Sequence, residues 1–536
     1  MHQEQLSSID VKIDLGIANE EDFKHCKDSL KLLGDLDRVE ARDLAQKAKI
    51  KWALEGDENT RFFHGMLKKK RRQLAIKGIL KDGDWIEEPG LVKAEFLSHF
   101  RSRFQPSIGT SPTLDTEFLK PISHNQRDFL ERSFSREEIK QVVWDCGGDR
   151  APGPDGFTFK FFTFFWDLIE NDVVRFVHEF FRTNFFPKGC NFSFIALIPK
   201  VSNAKAVSDF RPISLIGCQY KIIGKLLANR LSTVIGDCVN PVQSAFIKGR
   251  NILDGPLILN EVLAWHRQRK KELMVFKVDF EKAFDSLRWD FLDLTLDELG
   301  FGFKWRAWIN GCLHNSRSSV LVNGSPTEEF ELFRGLRQGD PMSLFLVILA
   351  MEGLHAFTCK AEALGLFKGV SIGRDNLNIS HLMYADDVIC FGEWSWINAR
   401  NLISLLRCFF LVSGLRINIH KSVVLGVGVT EEEVSYMANI IGCGASKFPL
   451  KYLGVPVGCN MARCLNWNVI TQKFSLKMST WKARLLSFGG RLSLIRSVLS
   501  SLPIYYMSIY LMPVAIRKKL ESLRFFLLEV TQARKK

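Results

Sequence analysis

The feature that most constrains this chain is Tyr384-Ala385-Asp386-Asp387, two adjacent acids set between the short apolar runs 382–384 and 388–391. Apolar runs of that length on either side of a break read as two buried strands joined by a turn. Neighbouring carboxylates there repel, and only a cation or solvent relieves them. A third acid, Asp279, ends another predicted strand over 273–279. A fold that carries Asp279 to the acidic turn makes an all-oxygen site of the kind that holds Mg²⁺. An Asp-Asp pair alone is an ordinary solvated turn. The strand-ending Asp279 moves the reading toward two metals, which sit about 3.5–4 Å apart and need a bridging carboxylate.

The chain of 536 residues has room for several domains and a large core. Its net charge of +14 calls for an anionic partner, nucleic acid or a membrane surface. The longest apolar run, 344–351, falls short of the ~18–20 residues of a membrane span. The first residues show no secretory pattern. Nucleic acid is therefore the expected partner, with no membrane, and the expected location is nuclear or cytoplasmic. The 12 cysteines form no CxxC pair, so they read as reduced thiols without a zinc site. The chain has 43 Phe against 7 Tyr, and the cluster Phe159, Phe161, Phe162, Phe164 and Phe165 reads first as core.

Residues 1–56 carry apolar positions at helical spacing and predict a helical arm. The basic run 68–72 is either a phosphate grip or nuclear address, or a solvated helix face. Ser135-Arg136-Glu137-Glu138 has capping-box spacing and predicts a helix start. Ala151-Pro152-Gly153-Pro154-Asp155-Gly156 must turn. Strands are predicted over 194–198, 416–419 and 452–457, with helices over 289–299 and 341–354. Asn323-Gly324 predicts a hairpin between 319–322 and 329–333. From 474 to 525 the pattern is helical, with breaks at Pro503 and Pro513. This order of elements predicts an α+β fold rather than a regular βαβ series.

The motifs together resemble the reverse transcriptases of non-LTR (LINE-type) retrotransposons, especially the plant lineage. Tyr384-Ala385-Asp386-Asp387 resembles the catalytic box. The resemblance begins at 52–64 and continues through the Pro-Gly-Pro-Asp-Gly turn, Leu197-Ile198-Pro199-Lys200 and Asp209-Phe210-Arg211-Pro212. Gln243-Ser244-Ala245-Phe246, Val278-Asp279-Phe280 and Gly335-Leu336-Arg337-Gln338-Gly339-Asp340-Pro341 follow in family order. Gly414-Leu415-Arg416-Ile417-Asn418, Lys421-Ser422 and Tyr452-Leu453-Gly454 close the series. The resemblance implies a right-hand polymerase, with fingers, an antiparallel-sheet palm and a helical thumb. It implies a helical N-terminal extension over 1–125, fingers and palm over 126–458, and a thumb-like region with a truncated tail over 459–536.

The resemblance also implies roles. Asp279, Asp386 and Asp387 match the catalytic acids and, with the Phe280 carbonyl, the ligands of two Mg²⁺ ions, for which Mn²⁺ can substitute. Phe284 matches the aromatic that crowds the sugar 2′ position, although by itself it reads as core. Arg211 matches the arginine that packs on the incoming base and neutralises phosphate. Gln338 matches an amide that reaches the nucleotide sugar, and Lys200 a residue near template or triphosphate. Lys421 matches a general acid for pyrophosphate, with a solvated lysine as the plain alternative. Tyr452-Leu453-Gly454 resembles a primer grip. The implied partners are an RNA template, a DNA primer and deoxynucleoside triphosphates, with endonuclease and RNase H activities supplied separately.

One departure stands out: Leu344 follows Ser343 where the family usually has Pro. It points to a decaying copy, as does the tail 532–536. Two rival readings are a decayed nucleic-acid-binding remnant and an intron-maturase-like RNA-binding factor. A polymerase of another template class is a third, against which Phe284 argues where ribonucleotides are concerned.

Overall fold

The computed structural model describes residues 75–106, 120–148, 150–201, 203–478 and 492–529, with four helical positions between 21 and 28. The basic run 68–72, the segment 52–64, Trp481 and the tail 532–536 lie outside the described residues. So does the arm predicted over 1–56, apart from those four positions.

Five strands form the sheet that carries the acids. Their order is His381–Tyr384, Asp387–Gly392, Leu273–Val278, Val423–Val427 and Gly444–Ala445. Neighbours are antiparallel except the last pair. Alternation along the strands builds two cores. Met274, Phe276, Val278, Val388, Cys390 and Val424 enter one, with helices Trp289–Glu298, Ser343–Ala363 and Trp396–Ser413. Leu273, Val275, Ile389, Phe391, Leu425 and Val427 enter the other. That second core also holds Asp254–Arg269, Asn468–Lys477, Ser501–Met507 and Val514–Glu529. A strand buried on both faces reads as a near-continuous apolar run, as Leu273–Val278 does. By length and composition Ser343–Ala363 could cross a membrane, yet 67% of its most apolar stretch is buried in the protein.

A second sheet has the order Phe210–Ile216, Phe192–Pro199, Arg317–Val322 and Ser325–Pro326. Asn323 and Gly324 have φ of 51° and 84°, the paired positive values of a two-residue hairpin turn. The return strand is split: Phe330–Glu331 pairs with Arg317 and Ser318 further along. Ser135 accepts from the Glu138 N–H at 3.2 Å, closing the expected capping box. At Gly153 a Cβ would lie 2.4 Å from the Ile216 backbone, so only glycine lets this turn meet the sheet. Its neighbour Asp155 then accepts from the Cys218 N–H at 2.6 Å and caps helix Cys218–Cys238 from outside.

Several expectations are corrected. Residues 416–419 form no strand but a loop, bridged to the acid-bearing strand at Ile417. The strand expected over 452–457 is a hairpin of Leu450–Tyr452 and Val455–Val457, turning at Leu453 and Gly454 with φ of 45° and 90°. Near Pro503 the helical run is interrupted as expected: the π-turn Ile495–Leu499 and Ser500 separate it from Ser501–Met507, in which Pro503 is third. The described part of the N-terminal extension is not purely helical: the hairpin Ile79–Lys81/Asp84–Ile86 precedes helix Pro89–Arg103. Of the five clustered phenylalanines only Phe159 and Phe162 are core, while Phe164 is 78% exposed. A short surface helix, Phe159–Phe164, can bury only one face. The helix predicted to end near 354 runs to Ala363, and Leu344 fits its first turn without Pro.

Candidate active site

The acidic turn is held by its backbone. Tyr384 pairs with Asp387 across the hairpin, leaving Ala385 and Asp386 as the two-residue turn. Ala385 takes φ 53°, a left-handed conformation that costs a non-glycine residue on the order of 1 kcal/mol or more. Gln243 stabilises it. The fully buried Gln243 amide accepts from the Ala385 N–H at 2.8 Å and donates to the Ala385 carbonyl at 3.3 Å. Around it, the Met383 N–H bonds the Val242 carbonyl and the Ser244 N–H bonds the Met383 carbonyl.

Asp279 is fixed the same way from the opposite side. Its carbonyl accepts from the Asn418 N–H at 2.6 Å, and its N–H donates to Ser422 Oγ at 3.1 Å. Ser422 is wholly buried and donates in turn to the Asn418 carbonyl. The Glu281 N–H bonds the Arg416 carbonyl. Phe280 and Ile417 are thus a non-hydrogen-bonded antiparallel pair, and the Phe280 carbonyl faces away from that partner.

Asp279 and Asp386 meet in a cleft of about 1330 Å³. Burial pushes the Asp386 carboxyl up, and the nearby Asp279 charge adds to the push. Burial also raises Asp387, against the opposing pull of Lys277, whose Nζ lies 3.7 Å from Asp387 Oδ1. The same cleft is lined by Phe280, Phe284, Lys200, Arg211, Gln338 and Lys421. Of the residues singled out from sequence, Asp387 and the Tyr452 loop lie outside that lining.

No group of three Asp, Glu, His or Cys side chains is gathered as a ready metal cage among the described residues. The donors Asp279, Asp386 and the Phe280 carbonyl are all oxygen. Two carboxylates with room for phosphate suit Mg²⁺, which keeps waters and takes substrate oxygens instead of filling a protein cage. The fit is to a metal completed by substrate.

The facing wall is cationic and partly dry. Arg103, from helix Pro89–Arg103, places Nη1 2.9 Å from Asp285 Oδ2. Asp285 Oδ1 accepts from Gln338 Nε2 at 3.3 Å. Lys200 donates to the Ser208 carbonyl at 2.8 Å, and burial with Arg103, Lys421 and Arg211 nearby lowers its pKa. Behind the wall Arg337 stacks on Tyr220, whose hydroxyl donates to Asp340 at 2.6 Å.

Sequence reasoning assigned no role to Gln243, Ser422, Asp285 or Arg103. Gln243 and Ser422 lie inside motifs quoted above and Asp285 directly follows Phe284, so a polar residue beside apolar neighbours was the available signal. Nothing in the sequence near Arg103 points to a site.

Comparison with known proteins agrees with this geometry. Residues 198–457 match the family model for reverse transcriptase (RNA-dependent DNA polymerase). They form a reverse transcriptase domain, which carries Asp279 and Asp386 and supplies most of the cleft lining. The transposon TX1 uncharacterized 149 kDa protein of Xenopus laevis is 28% identical over 508 residues, 90% of this chain and 37% of that protein. The retrovirus-related Pol polyprotein from type-1 retrotransposable element R2 of Popillia japonica is 27% identical over 303 residues, 56% of this chain and 40% of its own length. A putative ribonuclease H protein of Arabidopsis thaliana is 44% identical over 68 residues, 12% of this chain and 11% of that protein. The chain spans about two fifths of the length of the first two of these relatives.

Proposed function

We propose that this chain is the polymerase portion of a non-LTR retrotransposon protein and extends a DNA primer on an RNA template with deoxynucleotides. The observation that carries this is the joint placement of Asp279 and Asp386 in one cleft with the cations Lys200, Arg211 and Lys421. Acids alone would repel a triphosphate, and cations alone could not hold a metal. Asp279, Asp386 and the Phe280 carbonyl would hold Mg²⁺, with Asp387 adding negative charge behind them. Bound there, the metal would lower the pKa of the primer hydroxyl and neutralise the triphosphate.

Arg211 and Lys200 would bind phosphate by charge and orient it in line. Phe284 would press a flat apolar wall against the sugar 2′ carbon, where a ribose hydroxyl would find no partner. Lys421 would donate a proton to the leaving pyrophosphate. Template and primer backbones would bind by charge, so affinity would fall with salt. The domain division at 125 and 458, nuclear or cytoplasmic residence, and separate endonuclease and RNase H activities belong to the same proposal. Short high-identity matches to two Arabidopsis thaliana proteins support a plant lineage.

The test is primer extension on poly(rA)/oligo(dT) with Mg²⁺ and dTTP, beside D279N and D386N. Extension lost in both variants supports the reading. Salt-sensitive duplex binding without extension supports a decayed binding remnant instead.

A further inference from the structure

Beyond the matched segment 198–457 the chain returns to the hairpin Leu450–Tyr452/Val455–Val457 through two tyrosines. The Tyr505 hydroxyl, on helix Ser501–Met507, donates to the Leu453 carbonyl at 2.7 Å. Further along, the Tyr510 hydroxyl donates to the Pro456 carbonyl at 2.6 Å and accepts from the Asn260 amide at 3.0 Å. The two bonds are not equivalent. Pro456 lies in a strand whose other residues, Val455 and Val457, are buried in the second core, so packing holds it as well. Leu453 is the first residue of the turn and takes φ 45°, which costs a non-glycine residue on the order of 1 kcal/mol or more. Gly454 follows at φ 90° and is exposed, and a Cβ there would lie 3.4 Å from the Tyr505 ring. Tyr505 thus braces a strained turn whose tip is open to a partner.

The turn stands beside the acids and outside the cationic cleft. Burial pushes the Tyr452 hydroxyl up, and the nearby Asp387 charge adds to the push. Burial also raises Tyr505, with the Tyr384 hydroxyl close by. Tyr384, Asp387 and this turn all lie outside the lining that holds Lys200, Arg211 and Lys421. In-line displacement puts the attacking hydroxyl opposite the leaving pyrophosphate. With the pyrophosphate held by those cations, a primer end reaches Asp386 from outside their wall, past Tyr384 and the exposed turn. We propose that Tyr505 is a positioning residue for the primer: by holding the Leu453 carbonyl it fixes the turn on which the primer 3′ end rests. The inference rests on the polymerase reading, and it places one determinant of that reaction outside the segment that matches the reverse transcriptase family.

Tyr505→Phe removes the hydroxyl and keeps the ring. Tyr510→Phe does the same to the neighbouring bond and is the control. The experiment is single-turnover addition of one deoxynucleotide by the full chain on an RNA template, with a DNA primer whose 3′ end is matched or mismatched. Y505F should slow the matched primer about tenfold, the scale of one lost hydrogen bond, and leave the half-saturating nucleotide concentration unchanged. A mismatched end is already misplaced, so Y505F should slow it little, and the matched-to-mismatched rate ratio should fall about tenfold. Y510F should leave both rates close to wild type.

A Y505F protein that keeps the ratio, slows both ends equally, or is equalled by Y510F overturns the proposal. Should Y505F fail to fold, Gly454→Ala decides alone: alanine at φ 90° must shift the same turn, and an undiminished ratio there overturns it equally. The two readings fail differently. Wild-type protein that extends neither primer sinks the polymerase reading, and wild-type extension with an unchanged ratio in Y505F sinks this one alone.

Discussion

The two walls of the cleft are built by different means. The acid wall, Asp279 and Asp386, is held through its own backbone groups, which bond the Asn418 backbone and the Ser422 and Gln243 side chains at 2.6–3.1 Å on a strand end and a clamped turn. The opposite wall is held by side chains from distant segments, with Arg103, Asp285 and Gln338 joined in one line. Backbone clamping suits groups that must share a cation, because strands set their separation with little freedom. Side-chain networks suit recognition, because polarity and charge can be tuned without moving the sheet.

Breaking the acid wall should have the largest effect. Asp386→Asn should reduce primer extension by at least ~10³-fold. It should also raise the metal-free melting temperature. The sign follows from Asp386 itself: its folded pKa is raised, so the ionised form destabilises the fold near neutral pH. Scanning calorimetry with EDTA checks this, and a lower melting temperature would contradict it.

Gln243→Ala tests the clamp without touching an acid. The Ala385 N–H and carbonyl would lose their buried partner, costing about 2–3 kcal/mol of stability. The extension rate should fall ~10–100-fold while the KM for nucleotide stays nearly constant. A change confined to KM would show that the clamp does not place Asp386.

The cationic wall should respond the other way. Arg211→Ala should raise the nucleotide KM by about tenfold and leave the maximal rate close to normal, since an exposed charge on the cleft binds phosphate before and during reaction. An equal loss in rate alone would remove Arg211 from nucleotide binding.

The smallest effect concerns a carboxyl away from both walls. Burial raises Glu352 from 4.5 to about 7, and it accepts from the Asn240 N–H at 3.2 Å. A raised folded pKa gives stability that is complete below about 4.5 and lost as pH rises through about 7. Glu352→Gln should flatten that slope. Urea midpoints at about pH 5 and about pH 8 measure it, and an unchanged slope would assign it to other groups.

Contiguous patterns made much of this site legible. The apolar runs around Asp386, the strand ending at Asp279, the capping box at Ser135 and the Asn323-Gly324 turn are local, and local steric and hydrogen-bonding rules suffice for them. Where reading failed, a third partner intervened. Residues 416–419 have strand composition but spend their backbone bonds clipping Asp279, and Phe164 has core composition but sits on the outer face of a short helix.

The sequence by itself determined the chemistry available to this protein: which strands end in acids, where the chain turns, and that the balance of charge favours an anionic partner. Tertiary structure alone decided which groups share the cleft. Arg103, Asp285 and Gln338 are 182 and 53 residues apart in turn, and no local rule links positions so distant. Their pairing exists because burial removes water, so a carboxyl there needs those partners in place of solvent.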